Sequence, residues 1–176
     1  MSQLDENVSR LGYVEPLEQE SISHYLGRLR RLKANSLPSA YALGQAADLG
    51  GVTARWEKLY FNPFPTEEEL GAVARLIRLD PSCFQEMLPH PGMTLQPRPI
   101  RLCGTCYAEV PCHRIVWQDK DVIAVCPHHE VRLLERCPSC KTPFQIPALW
   151  TDGRCHHCGM RFTSMAKYQE RIKKPS

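Results

Sequence analysis

Apolar positions recur at helical spacing through the first half of the chain and fall into short runs between cysteines in the second. Ile22, Tyr25, Leu26, Leu29 and Leu32 follow the i, i+3, i+4, i+7 rule, so they predict one apolar stripe on a helix that Ser21 caps. Arg28, Arg30, Arg31 and Lys33 lie off that stripe and form a basic face. A second helix is expected from about Pro38 to Leu49, capped by Ser36, with Pro38 in its first turn and Gly50-Gly51 at its end. A third starts near Val52 or Thr53 and runs to about Tyr60, with Trp56 and Leu59 inward. Helix, glycine turn, helix is the pattern of a helix-turn-helix, and Ala46 is the small residue that allows close approach. Thr66-Glu67-Glu68-Glu69 is a capping box. It opens a fourth helix whose buried side is Leu70, Val73, Ala74, Ile77 and Leu79. Asp80-Pro81 opens a short fifth helix holding Phe84 and Leu88, and five short helices suffice for one small shared core.

This pattern divides the chain. Residues 1–20 read as a polar, acidic lead-in, extended or partly disordered. Residues 21–88 read as a helical domain, and 89–99, with Pro89, Pro91, Pro97 and Pro99, as a linker. Residues 100–166 are cysteine-rich, and 167–176 read as a charged tail that forms a short, frayed helix. No apolar run is long enough to span a membrane, and the acidic N-terminus is unlike a secretory signal. The expected setting is therefore a reducing cytoplasm, where cysteines more often hold metal than pair as disulfides.

Nine cysteines are present, and all but Cys83 lie between Cys103 and Cys158. Four hooks stand out: Cys103-Gly-Thr-Cys106, Cys126-Pro-His-His129, Cys137-Pro-Ser-Cys140 and Cys155-His-His-Cys158. Two residues between ligands let both side chains of a tight turn reach one ion, and structural zinc takes four ligands, so hooks combine in twos. Consecutive pairing makes Cys103, Cys106, Cys126 and His129 one Zn²⁺ site and Cys137, Cys140, Cys155 and Cys158 a second. Interlocked pairing of the first hook with the third and the second with the fourth satisfies the same count. Iron in the four-thiolate set is a further alternative. A redox CxxC would need a βαβ setting that the pattern lacks, and no HExxH motif accompanies either site. His128 reads as a surface side chain, and Cys83 and Cys112 as small buried apolar residues. Arg114–Trp117 and Val122–Val125 predict a β-hairpin delivering Cys126, and Val131, Leu133 and Leu134 a short helix between the sites. The expected fold class is thus a helical bundle with a helix-turn-helix, followed by two tandem zinc knuckles or ribbons with a small β component.

Charge then changes the picture. Residues 1–97 carry 9 Lys+Arg and 12 Asp+Glu, and residues 98–176 carry 13 and 7. The basic excess of the second half is offset once metal is bound. A site of three cysteines and one histidine with Zn²⁺ contributes −1 and a four-cysteine site −2, so the formal +3 falls to zero. A near-neutral protein is poorly suited to charge-driven duplex binding.

The run Arg101-Leu-Cys-Gly-Thr-Cys-Tyr-Ala-Glu109, with Arg114, Trp117, Val125-Cys-Pro-His-His129 and Leu133-Leu-Glu-Arg-Cys-Pro-Ser-Cys140, resembles the zinc region of the TniQ/TnsD family. Glu20-Ser-Ile-Ser-His-Tyr-Leu-Gly-Arg-Leu29 is similar to that family's opening helix. The resemblance spans about Glu18 to Cys158. It implies a bacterial target-selection adaptor of Tn7-like transposition. Such an adaptor links an AAA+ regulator of the TnsC type to the target recogniser and so recruits the transposase. The short form, without the long DNA-binding extension of larger relatives, is similar to the TniQ of CRISPR-associated transposons, where an RNA-guided effector chooses the target. Two departures stand: Lys141 occupies a position where the knuckle often has glycine, and Cys112 one where many relatives have another residue.

No nucleophile–base pair, phosphate loop or paired carboxylate set is apparent, so the residues read as an adaptor and not an enzyme. The acidic lead-in and first helix are candidates for the ATPase contact. A DNA-binding regulator is the alternative: Arg55 and Lys58 project from the third helix, with Glu57 between them, and Arg28 and Arg31 could meet a phosphate backbone. Guide RNA is a third candidate partner. The zinc half sets Arg98, Arg101, Arg114, Lys120, Arg132, Arg136, Lys141, Arg154 and Arg161 beside Tyr107, Trp117 and Trp150, and cations with aromatics suit single strands. Trp117 doubles as expected hairpin core.

Overall fold

The computed structural model describes residues 10–122 and 124–173. The first nine residues of the expected lead-in, Ile123 of the expected hairpin, and residues 174–176 of the tail lie outside that range. The chain is mostly helical, and among the described residues its strand content is limited to isolated antiparallel bridges. No helix among them is long and apolar enough to cross a membrane.

Among the described residues five α-helices form: α1 (Ile22–Arg31), α2 (Ala40–Ala46), α3 (Val52–Glu57), α4 (Glu67–Ile77) and α5 (Gly104–Glu109). Helix α1 begins as its pattern demands, with the Ser21 hydroxyl accepting from the His24 amide. Helix α4 begins with both halves of the Thr66/Glu69 capping box. Their apolar faces meet Leu43, Trp56, Phe84 and Leu88 in one buried cluster. The fifth expected helix is a 3-10 segment, Pro81–Met87, which Asp80 caps through the Ser82 amide.

Helix α2 starts two residues later than Pro38. Ser39, not Ser36, is its cap, accepting from the Ala42 amide at 3.1 Å. Ser36 instead takes a left-handed φ of 46° and donates its hydroxyl to the Lys33 carbonyl, which closes α1. Proline disfavours a helical residue before it, so Leu37 stays non-helical and the nearer serine wins. Helix α3 is also shorter than expected, ending at Glu57. The small residue at the α2–α3 contact is Gly44. A Cβ there would strike the Gly50 carbonyl, whereas Ala46 is exposed.

Three further expectations fail in the cysteine-rich half. Ile115–Gln118 and Lys120–Val122 are 3-10 turns and form no hairpin. The Gln118 side chain is buried, donating to the carbonyls of Gln96 and Pro99 and accepting from the Arg101 amide. Arg114 and Asp119 bridge to Glu20 and Leu95, so the segment pairs with distant chain instead of with itself. The stretch 131–134 is extended, not helical: Val131 and Leu133 are buried, Arg132 is exposed, and Leu134 bridges to Leu102. Four residues with three apolar positions fit either period, and backbone partners decide for the strand. Among its described residues the tail has no helix beyond the 3-10 segment Thr163–Tyr168; residues 170–172 run extended against Glu130–Arg132.

Two other segments are more tightly held than expected. The proline-rich 89–99 stretch pairs with the second half, through Gln96 N–H to Gln118 O at 2.7 Å and Lys120 N–H to Thr94 O at 2.8 Å. Residues 10–20 lie against the helical core: Leu11 donates to Leu76 O, and Tyr25 donates its hydroxyl to Val14 O.

The two halves meet along α1. The 3-10 turn Pro147–Leu149 sits directly on it. Ser23 donates to Glu57 O at 2.5 Å and accepts from the Ala148 amide at 3.1 Å. His113 is wholly buried, bridging the Ser21 hydroxyl (2.9 Å) and the Gln118 carboxamide (3.2 Å) edge-on to Trp117 and Trp150. Burial pushes its pKa down to about 3, so the imidazole is neutral at physiological pH. Gly27 permits the approach, since a Cβ would collide with the Ala148 backbone. Gly27→Ala is expected to cost about 1–3 kcal/mol through overpacking, despite alanine's better helix propensity. Thermal denaturation reads the effect, and a variant as stable as the parent would refute the tight contact.

Candidate metal centres

Three of the four hooks share one backbone solution. The amide four residues after the leading cysteine donates back to that cysteine's carbonyl: Glu130 to Cys126, Lys141 to Cys137 and Gly159 to Cys155, each at 2.9 Å. The amide of the leading cysteine is taken by the carbonyl five residues on, from Val131, Thr142 and Met160. Closing so tight a loop puts the returning residue in the left-handed region, with φ of 52° at Glu130, 62° at Lys141 and 77° at Gly159. Only the last is the residue type that meets no Cβ penalty there. Lys141→Gly is therefore expected to stabilise the fold by about 0.5–1 kcal/mol, the relieved strain exceeding the entropy cost of the added glycine. A lowered melting temperature would contradict this. The first hook differs: Cys103 is the N-cap residue of α5, and Cys106 lies on the helix itself.

The hooks combine consecutively. Cys103, Cys106, Cys126 and His129 form one cluster and Cys137, Cys140, Cys155 and Cys158 another, with ligand atoms within 4.8 Å of one another in each. This is the consecutive pairing and not the interlocked one. A tetrahedral ion with metal–sulfur bonds of about 2.3 Å needs sulfur–sulfur edges of about 3.8 Å. The sulfurs of Cys106 and Cys126 are 3.4 Å apart, and those of the pairs Cys137–Cys158 and Cys140–Cys155 are 3.6 Å apart. His129 Nδ1 stands 3.8, 3.2 and 3.7 Å from the sulfurs of Cys103, Cys106 and Cys126. Both clusters therefore have the size and donor set to hold one metal ion each.

Their electrostatics agree. S–H donation from Cys106 and Cys126 holds the Cys103 thiol far below the ordinary range, while the same sharing pushes Cys106 far up. A bound dication replaces the shared protons and lets every thiol ionise. Cys140 is pulled down to about 5, first by the Thr142 hydroxyl 3.2 Å away, and Cys137 is pushed up to about 12, first by burial. His129 turns its other nitrogen, Nε2, to Glu109 at 2.9 Å. A carboxylate there fixes the ring so that Nδ1 faces the cluster. Glu109 lies three residues after Cys106 on α5, on the same helical face, and that spacing was the available signal for a residue the motif reading passed over.

The first cluster is built into the C-terminal core, with Cys103, Cys106 and Cys126 among Ile100, Leu102 and Tyr107. In the second, Cys137 and Cys155 are buried and Cys158 is exposed. His128 is exposed beside Gln19, and Cys112 is buried, which pushes its thiol up to about 12. Cys83 is half-buried at the edge of the helical core.

The candidate partner residues are placed very unequally. Arg28 binds the Glu15 carbonyl and sits 3.2 Å from the buried Glu20 carboxylate, which His24 also contacts. Arg31 donates to the carbonyls of Ala148 and Trp150, and burial lowers its pKa. Arg114 is buried with one nitrogen on Gln19, and Trp117 is fully buried. Of these candidates Lys58 alone is exposed, with Arg55 half-buried on α3. Glu57, which the sequence set between them, turns inward to pair with Arg30 at 2.5 and 2.9 Å. No protein-family model matches the chain, and no curated protein matches it.

Proposed function

We propose that this chain is a non-catalytic adaptor of the TniQ/TnsD type. In this reading it holds two structural zinc ions and joins an AAA+ transposition regulator to an RNA-guided targeting complex. The α2–α3 pair is then the family's helix-turn-helix, and the two clusters are tandem zinc knuckles. One observation carries the non-catalytic part: each cluster supplies four protein ligands to a single point, which leaves a tetrahedral ion no open position for substrate. Zinc fits the donor sets, three thiolates with an imidazole and four thiolates, better than hard cations that prefer oxygen. The family resemblance along Arg101–Cys140 supplies the partners. Elemental analysis of purified protein should find two zinc per chain, and iron in the second set would show in the visible spectrum. Reconstitution tests the rest: the chain should bind the ATPase regulator and the effector separately and bridge them. Binding to neither, or to only one, would sink the adaptor reading.

A DNA-binding regulator remains the second reading, favoured by one feature. The pairing of Glu57 with Arg30 removes the only negative charge between Arg55 and Lys58 from the outer face of α3. Sequence-selective binding of duplex DNA by the isolated chain, titrated across salt, would favour this reading over the adaptor.

A further inference from the structure

The C-terminal half offers cations and aromatics, but not the aromatics its sequence suggests. Tyr107, Trp117 and Trp150 are 8 %, 0 % and 5 % exposed and present no ring face to a ligand. Tyr168 is 51 % exposed. It lines a shallow concavity of about 400 Å³ whose walls include Arg132, Arg136 and Lys141. The Lys167 ammonium lies 5.3 Å from the centre of the Tyr168 ring. The tertiary fold, not local sequence, assembles this surface: residues 169–172 return beside the Cys126 knuckle, through Arg132 N–H to Glu170 O and Ile172 N–H to Glu130 O.

Two carboxylates share the surface. Glu135 is 3.3 Å from Arg101, and Glu170 is 4.0 Å from Arg132 and almost fully in solvent. Arg136 has no ion pair among the described residues, and Lys141 donates to the Pro138 carbonyl at 3.0 Å. Cys137 lines the same concavity, so a metal-loaded four-thiolate cluster places a further −2 nearby. The local field is thus too weak for tight duplex binding by charge alone. A ligand that also stacks on an open ring would gain what the charge does not supply, and a duplex keeps its base faces covered.

We propose that this concavity binds a single-stranded nucleic acid, with a base stacked on Tyr168 and the flanking phosphates met by Arg132, Arg136 and Lys141. The site rests on the adaptor reading only for the identity of its biological strand. The test uses the full-length, zinc-loaded chain and fluorescent oligo(rA) and oligo(dA) of about twelve nucleotides, with the matching duplex as control. Single strands should bind at least about fivefold tighter than duplex, and Tyr168→Ala should weaken them about tenfold while Tyr168→Phe stays near the parent. Arg132→Ala and Arg136→Ala should each lower the salt slope by about 0.7. The ratio of the two single-strand affinities identifies the strand type. Unchanged binding by Tyr168→Ala, equal or better binding of duplex, or tighter binding of a polyglutamate peptide to the same face would each overturn the proposal. Zinc content and melting temperature confirm that the variants fold. ATPase association should survive Tyr168→Ala, so loss of the adaptor function and loss of this site read out separately.

Discussion

Replacing Cys137 or Cys155 by alanine is expected to unfold the C-terminal half, not to remove a chemical step. Both residues are buried in its core, beside Phe144 and Phe162. Among its described residues that half has one short α-helix, four 3-10 segments and isolated bridges in place of a continuous sheet. Metal binding to such a cluster contributes on the order of 10 kcal/mol to folding, comparable to the whole stability of a small domain. The loss should also reach the helical half. Helix α1 rests on Ala148 and Trp150, and the chain returns from the second cluster to pack Phe162 and Ala166 against Gly104. If the clusters hold metal as proposed, the metal content should fall to one ion per chain or none, and amide exchange across 100–166 should rise sharply. A strong chelator should reproduce the effect in the parent protein. A variant that kept its near-ultraviolet dichroism and melting temperature while losing partner binding would refute this structural role.

Glu57→Ala is expected to cost about 3–5 kcal/mol, because it strands a buried guanidinium. Arg30 and Glu57 are nearly inaccessible, and their side chains form a two-point contact at 2.5 and 2.9 Å. The pair lies where α1, α3 and the Leu37 turn converge, and Arg30 also reaches the Leu37 carbonyl. Removing Glu57 leaves the buried Arg30 guanidinium without its counter-charge and with only the Leu37 carbonyl to accept from it. Removing both is different, since two apolar side chains of similar volume escape the desolvation penalty. Arg30→Met with Glu57→Met should therefore recover most of the loss seen in Glu57→Ala. Urea denaturation of the two variants and the parent measures this directly. A Glu57→Ala protein within about 1 kcal/mol of the parent would show that the pair is solvent-screened after all.

Both predictions concern features read differently at the two levels. The eight candidate ligands were legible in the hook spacing, because a two-residue gap within a tight turn is a local property. So were the starts of α1 and α4, where Ser21 and the Thr66/Glu69 box satisfy amides within three residues. The Arg28–Arg31 group was not. On a helical wheel it is a basic face; in the fold Arg28 serves Glu20, Arg30 serves Glu57 and Arg31 serves the Ala148 and Trp150 carbonyls. Each partner is contributed by a different segment, and no spacing rule links them. The false hairpin at Arg114–Val125 has the same origin, since Gln118 recruits backbone from 96, 99 and 101.

Local sequence thus dictated which eight residues are candidate metal ligands, where the principal helices begin, and which side chains form the helical core. These depend on interactions that close within a few residues or on strong apolar periodicity. The packed chain was needed for the pairing of the hooks, the docking of α1 on Pro147–Leu149 through Gly27, the inward turn of Glu57, and the placing of Tyr168 rather than Trp117 beside the exposed Arg132, Arg136 and Lys141. Those depend on which distant backbone and charge each side chain meets, and a buried ion or aromatic ring takes the partner that the packed chain supplies.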